Sequence, residues 1–374
     1  MLRFSSQGEN QKYSKNVLKK DLIDLHIHIG GAMSPHTLWE IAHSQGIKLP
    51  VKNYWDFCSF LRNIDSMEDL HNVYEWTERI QSSPKAIERG IYNVISKEYR
   101  SSNVSKIELR FNPMFRTRGG EIDMDHVIHA AIRGMERATL DYQVEVGLIF
   151  CLDRRLRFEL NEVIVKKAIL YRKRGVVGID IAGPEDFYFK HEKDFDSYKK
   201  HFKENVGVDL TDISHLNFET GEYFEKYTKL FAKAREKGLG ITVHTGETKN
   251  STVEGMIKVI ETIKPDRIGH GIRAAESPKA MALLKKHNIV LEICPTMNLT
   301  TGSVKSWAEM KKILQTFWKA GVLFTINTDG PYLAQTGLAR EFKVLLKEKV
   351  LTLPQLKQCL ANAKKASFIN RKIK

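Results

Sequence analysis

The chain is poor in cysteine and lacks the spacings by which thiols hold metals or one another. Four cysteines, Cys58, Cys151, Cys294 and Cys359, are scattered through 374 residues with no CxxC pair. Zinc held by thiolates is therefore not expected. Cys151 and Cys294 lie in apolar runs, as reduced core thiols of a cytoplasmic protein do. No stretch of 18 apolar residues occurs, so no membrane span is expected. The first twenty residues are polar and have no apolar centre of the kind a signal peptide carries. A P-loop and a dinucleotide fingerprint are both missing, and "GLG" at 238–240 reads as a turn between helix and strand. No internal repeat or low-complexity tract is visible.

What is present is an ordinary globular composition, 42% hydrophobic and 28% charged, at a length common for a single α/β barrel. The net charge of +14 raises the question of a polyanionic partner. Its lysines are interleaved with glutamates along helical stretches such as "YFEKYTKLFAKAREKG", the pattern of solvated helix faces. A nucleic-acid role is not expected.

Eight apolar runs rich in β-branched residues recur: 22–29, 106–113, 144–151, 176–183, 240–247, 267–271, 289–296 and 323–330. Most follow a helical pattern, which implies repeated βα units and a parallel sheet. Eight such strands closing on themselves give a (β/α)8 TIM barrel, here one domain across 1–374. Two gaps exceed a simple βα unit. Residues 30–105 hold helical patterns and form a candidate cap or lid beside the barrel mouth. Residues 184–212 form a charged insertion.

The first run, "LIDLHIHI", carries two imidazoles where a buried strand would carry aliphatics. Side chains alternate along a strand, so His26 and His28 share one face. Taken alone, an HxH is usually a structural feature. However, His244, Glu247, His270 and Asp329 also fall at the C-terminal ends of runs, the edge where such barrels carry their chemistry. Three histidines and a carboxylate make a sensible set for a borderline-soft divalent ion such as zinc, and a catalytic site of that kind keeps a position open for water.

Together, "HIHIGGAM", "GIDIAGPE", "VHTGET", "RIGHGI", "LEICPTMNLTTG" and "INTDGP" resemble the adenosine deaminase family of the amidohydrolase superfamily. The similarity runs from about residue 22 to "NAKKASF" at 362–368. It implies hydrolytic removal of an amino group from a purine nucleoside, adenosine or deoxyadenosine. It also implies a metal set of His26, His28, His244 and Asp329, with Glu247 as proton shuttle and His270 orienting or deprotonating the water. His28, Gly30, Gly183 and Gly330 fall at substrate positions, Gly183 offering its backbone N–H to a ring nitrogen. The other zinc-deaminase pattern, H-x-E with P-C-x-x-C, is absent.

One zinc ion per chain is expected. Two-metal members of the superfamily commonly bridge their ions through a modified lysine or a carboxylate late in strand four. That run here has no lysine, and Asp180 is its single ionisable side chain. Two departures concern the substrate. Family members typically have a second aspartate after the metal-binding one, reaching N7 of the purine, where this chain has Gly330. They also have an acidic residue contacting the ribose where Gly30 stands. Deamination of another adenine-type compound (adenine, AMP or an N6-substituted adenosine) thus remains a rival, and a non-catalytic nucleoside- or polyanion-binding protein a third reading. Asp24 and Glu292 are expected to pack inside the barrel, with ligand orientation as the alternative. Glu108 and Arg110 are expected to pair with each other. Oligomeric state is left open.

Overall fold

A computed structural model describes residues 21–117, 121–183, 221–249 and 251–371. The charged insertion expected at 184–212 lies outside them. Eight parallel strands follow one another in chain order: β1 (Leu22–His28), β2 (Val104–Phe111), β3 (Glu145–Asp153), β4 (Val176–Ala182), β5 (Gly240–Thr245), β6 (Arg267–His270), β7 (Val290–Ile293) and β8 (Leu323–Ile326). The seam between β8 and β1 closes through a parallel bridge of Ile27 with Asp329. There the His28 N–H donates to the Asp329 carbonyl and the Asp329 N–H to the His26 carbonyl, both at 2.8 Å. The fold is a (β/α)8 barrel.

Between β1 and β2 stand α1 (Ile29–Ala32), α2 (Pro35–Ser44), α3 (Tyr54–Arg62), α4 (Met67–Ile80) and α5 (Pro84–Ser102). Local sequence starts these helices. Ser34, Ser66 and Ser83 each accept a backbone N–H three residues on, and Pro35 and Pro84 follow two of these caps. Later helices are α6 (Met124–Asp141), α7 (Phe158–Tyr171), α8 (Gly221–Glu236), α9 (Val253–Thr262), α10 (Pro278–Lys286), α11 (Pro295–Thr300), α12 (Trp307–Ala320), α13 (Leu338–Lys347) and α14 (Leu353–Ala366). None is long and apolar enough to cross a membrane among the described residues.

Alternation on β1 sorts its side chains. Ile23 and Leu25 pack outward against Ala363 and Ala366 of α14. Asp24, His26 and His28 take the opposite face, toward the barrel interior. That interior carries buried charge where aliphatic layers are usual in such barrels. Arg110 donates to Asp180 and to Glu292, each at 2.8 Å, while Arg267 reaches Glu108 and Glu292, each at 2.6 Å. Glu108 and Arg110 therefore do not form the expected pair. Two residues apart on β2, they sit in successive interior layers, and each reaches across the barrel to another strand.

The N-terminal end of the barrel is sealed by the segment after α14. Ser367 Oγ and the Phe368 N–H both donate to Glu108 Oε1, at 2.8 and 2.6 Å. The Phe368 ring lies 3.6 Å below the Arg267 guanidinium carbon and fills the space a side chain at Gly240 would need.

Candidate metal centre and active site

His26 is fully buried, and its Nδ1 lies 2.6 Å from Glu292 Oε2. Burial, and then the nearby Arg110 and the other imidazoles, hold its pKa well below the ordinary value. The ring is neutral, so Nδ1 carries the proton it gives to Glu292 and Nε2 keeps a lone pair. Nε2 is buried without a hydrogen-bond partner among the described residues. An imidazole tied at one nitrogen by a carboxylate and bare at the other is the arrangement of a metal ligand.

His244 on β5 is tied to a carboxylate in the same way. Its Nδ1 lies 2.9 Å from Asp180 Oδ2. Burial opposes ionisation of Asp180, but His244 and Arg110 outweigh that and hold its carboxyl well below the usual range. His244 Nε2 and His28 Nε2 are 3.1 Å apart. Burial pushes His28 down to about 3, leaving it neutral. The ligand atoms of His26, His28 and His244 lie within 4.8 Å of one another.

Asp329 enters from the β8–β1 seam. Its Oδ1 is 3.9 Å from His28 Nε2 and its Oδ2 3.4 Å from His270 Nε2. Its backbone is left-handed, with φ of 63°, as is that of His270 at 59°. Such conformations are uncommon for residues with a Cβ and cluster where a side chain must be aimed. Burial raises the Asp329 carboxyl, yet the hydrogen bond from His270 and the imidazoles around it bring it below its ordinary value. His270 is held on its far side by Asn298, whose Nδ2 is 3.0 Å from Nδ1. Burial disfavours its charge, but Glu247 and Asp329 raise it to about 9. Glu247 Oε1 lies 3.6 Å from His270 Nε2.

All six rim residues thus meet at one place. Gly183 follows β4 with φ of 88°, and its carbonyl accepts from Arg154 Nη1 at 2.9 Å. Arg154 also donates to the His244 carbonyl, tying the ends of β3, β4 and β5 together. Gly30, Gly31 and Gly330 lie against Tyr74 and Glu78 of α4. Glu292, expected chiefly as packing, orients His26 as well. Asp24 stays below the site, accepting from Thr328 Oγ1 at 2.7 Å.

Three neighbours escaped the sequence reading. Asn298 stood in a quoted motif without a role. Cys294 joins His26, His270 and Asp329 within 4.8 Å, and burial pushes its thiol up. Tyr74 comes from a cap helix with no motif, and only the packing brings it here.

The donor set fits a divalent metal: two imidazoles each anchored by a carboxylate, a third neutral imidazole and an ionised aspartate. The adenosine deaminase family model matches residues 22–222 and 206–374. An adenosine deaminase of Shewanella denitrificans is 29% identical over 352 residues, covering 93% of this chain and 94% of that one. Among solved structures, a Burkholderia ambifaria amidohydrolase with bound Zn superposes with a TM-score of 0.76 at 20% identity, over 98% of this chain and 89% of its own. The Arabidopsis N6-mAMP deaminase gives 0.74 at 22%, over 95% of both. The chain belongs to the adenosine deaminase family, within the amidohydrolase superfamily. It is a hydrolytic deaminase, and adenine-type compounds are its substrate class.

Proposed function

We propose that the chain hydrolyses the 6-amino group of adenosine or deoxyadenosine, releasing ammonia and inosine or deoxyinosine. One zinc ion per chain is held by His26, His28, His244 and Asp329. The observation that carries this reading is the paired orientation of His26 and His244. Each gives Nδ1 to a buried carboxylate, which turns both Nε2 atoms toward the same point, where one metal ion would meet them with His28 Nε2. When bound, zinc lowers the pKa of its water from about 15.7 to about 7 and so supplies a nucleophile at neutral pH.

The chain's own residues do the rest. His270, facing Glu247 and Asp329, orients the attacking water and stabilises charge as it reaches C6. Glu247 holds a proton toward purine N1, drawing electron density from C6, and then serves the leaving ammonia. The Gly183 N–H faces a ring nitrogen, while His28, Gly30 and Gly330 border the base and sugar. The helices between β1 and β2 cap the mouth of a single domain spanning 1–374 and shield the reaction from bulk water. Four buried free thiols suit a reducing, cytoplasmic setting.

A second reading is favoured by the glycines at 30 and 330: an N6-substituted adenosine or an AMP-type substrate, the class named for the Arabidopsis neighbour. The zinc-loaded chain given adenosine, deoxyadenosine, adenine, AMP and N6-methyl-AMP in turn, followed by ultraviolet absorbance, decides between them. Adenosine with the highest kcat/KM is the expected result. Preference for a nucleotide selects the second reading, and no turnover of any of the five overturns both.

A further inference from the structure

Three glycines of the rim depend on one cap helix. A Cβ at Gly31 would stand 2.5 Å from the Tyr74 hydroxyl oxygen, and one at Gly330 would stand 3.2 Å from it. At Gly30 a Cβ would meet Glu78 Oε1 at 2.6 Å and the Tyr74 ring at 2.9 Å. The three glycines therefore make room for Tyr74 and Glu78, which are four residues apart and share one face of α4. Arg116, fully buried beyond β2, donates to Glu78 at 3.0 Å and fixes that face against the barrel.

The Tyr74 ring stands edge-on to His28, 6.0 Å between centroids. Its hydroxyl oxygen is buried, and its nearest acceptor is the Asp329 carboxylate, with no well-formed hydrogen bond completed among the described residues. A buried hydroxyl left in that state costs stability unless something else satisfies it. It faces the same space as the metal-ligand atoms, and with the Asp329 carboxylate committed to the metal, the ligand of that space is the partner left to it. A phenol carries its proton at neutral pH and so can donate.

Which acceptor it meets follows from purine geometry. C6 is flanked by N1 on one side and by C5, which bears N7, on the other. Glu247 follows β5, while Tyr74 touches the β8–β1 seam, on the opposite side of an eight-stranded ring. With C6 over the metal ligands and N1 toward Glu247, N7 turns toward Tyr74. N7 of adenine only accepts. A phenol donates to it directly, whereas a carboxylate would first have to be protonated.

We propose that the Tyr74 hydroxyl donates to N7 of the substrate base and is a specificity-determining contact supplied by the cap helix. This rests on the deamination proposed above. The test compares adenosine with 7-deazaadenosine, and AMP with 7-deaza-AMP, in wild type and Tyr74→Phe. The expected result is a wild-type preference for the N7 compound in kcat/KM that narrows by about five- to tenfold in Tyr74→Phe, the effect of one neutral hydrogen bond. The intrinsic reactivity difference between the two bases cancels in that ratio of ratios. Inhibition constants for inosine and 7-deazainosine give the same comparison if the variant turns over too slowly. An unchanged ratio in both measurements, whatever the overall loss, overturns the assignment and leaves Tyr74 a packing residue. Wild type inactive on every compound would refute the proposed function instead.

Discussion

Glu292 Oε2 lies 2.6 Å from His26 Nδ1, and the same oxygen accepts from Arg110 Nη2 at 2.8 Å. Arg110 also binds Asp180, which orients His244. One guanidinium thus couples the carboxylates behind two of the proposed ligands. Buried ion pairs of this kind seldom stabilise a fold more than apolar packing would. Their use here is to fix two imidazole tautomers at once.

Removing the charge at Glu292 should loosen both metal and fold. In Glu292→Gln, zinc affinity measured by competition with a chelator should fall about 10- to 100-fold. Arg110 and Arg267 would lose a shared partner, so the unfolding free energy read from a urea titration should also drop, by an amount on the order of 3 kcal/mol. Unchanged zinc affinity would show that Glu292 is packing alone.

Glu247 should matter for chemistry and not for the metal. In Glu247→Gln we expect zinc content to match wild type while kcat falls by about 10²- to 10⁴-fold, the usual contribution of a positioned proton donor. Normal turnover in that variant contradicts the shuttle role.

These two residues also mark how much the sequence disclosed. Every rim residue was visible, because polar side chains at the ends of apolar β-branched runs contradict their surroundings. The strand positions followed from the same runs. The partners behind them were less legible. Glu108 and Arg110 stand two apart on one strand and look like a pair, yet each finds its counter-charge on strands distant in sequence. Tyr74 and Asn298 carry no local signal, since only the folded cap and the turn after β7 bring them to the site.

Phe368 illustrates a contact fixed by the far end of the chain. It closes the barrel bottom under Arg267 and against Gly178 and Gly240. Phe368→Ala should destabilise the fold by about 3–5 kcal/mol, read from urea unfolding. A loss below about 1 kcal/mol would mean that the plug is dispensable.

Stability should also depend on pH through Glu341. This carboxyl is fully buried, accepts from Thr336 Oγ1 at 2.6 Å, and is pushed up to about 7 by burial, against the hydrogen bonds from Thr296 and Thr336. Its unfolded value is near 4.5. The folded state therefore binds the extra proton between those values. The stabilisation is complete below about pH 4.5, declines as pH rises, and is lost above about pH 7. Its full size is of order 3 kcal/mol. In Glu341→Gln the unfolding free energy should lose that part of its slope between pH 5 and 7. An identical slope in wild type and variant would contradict the assignment.

The most direct measurement is a titration of the metal-free chain with zinc, following adenosine conversion at each addition. Deaminase activity should rise linearly and level off at one equivalent per chain. Saturation at two equivalents, or no conversion at any ratio, would contradict a single catalytic ion cradled by His26, His28, His244 and Asp329.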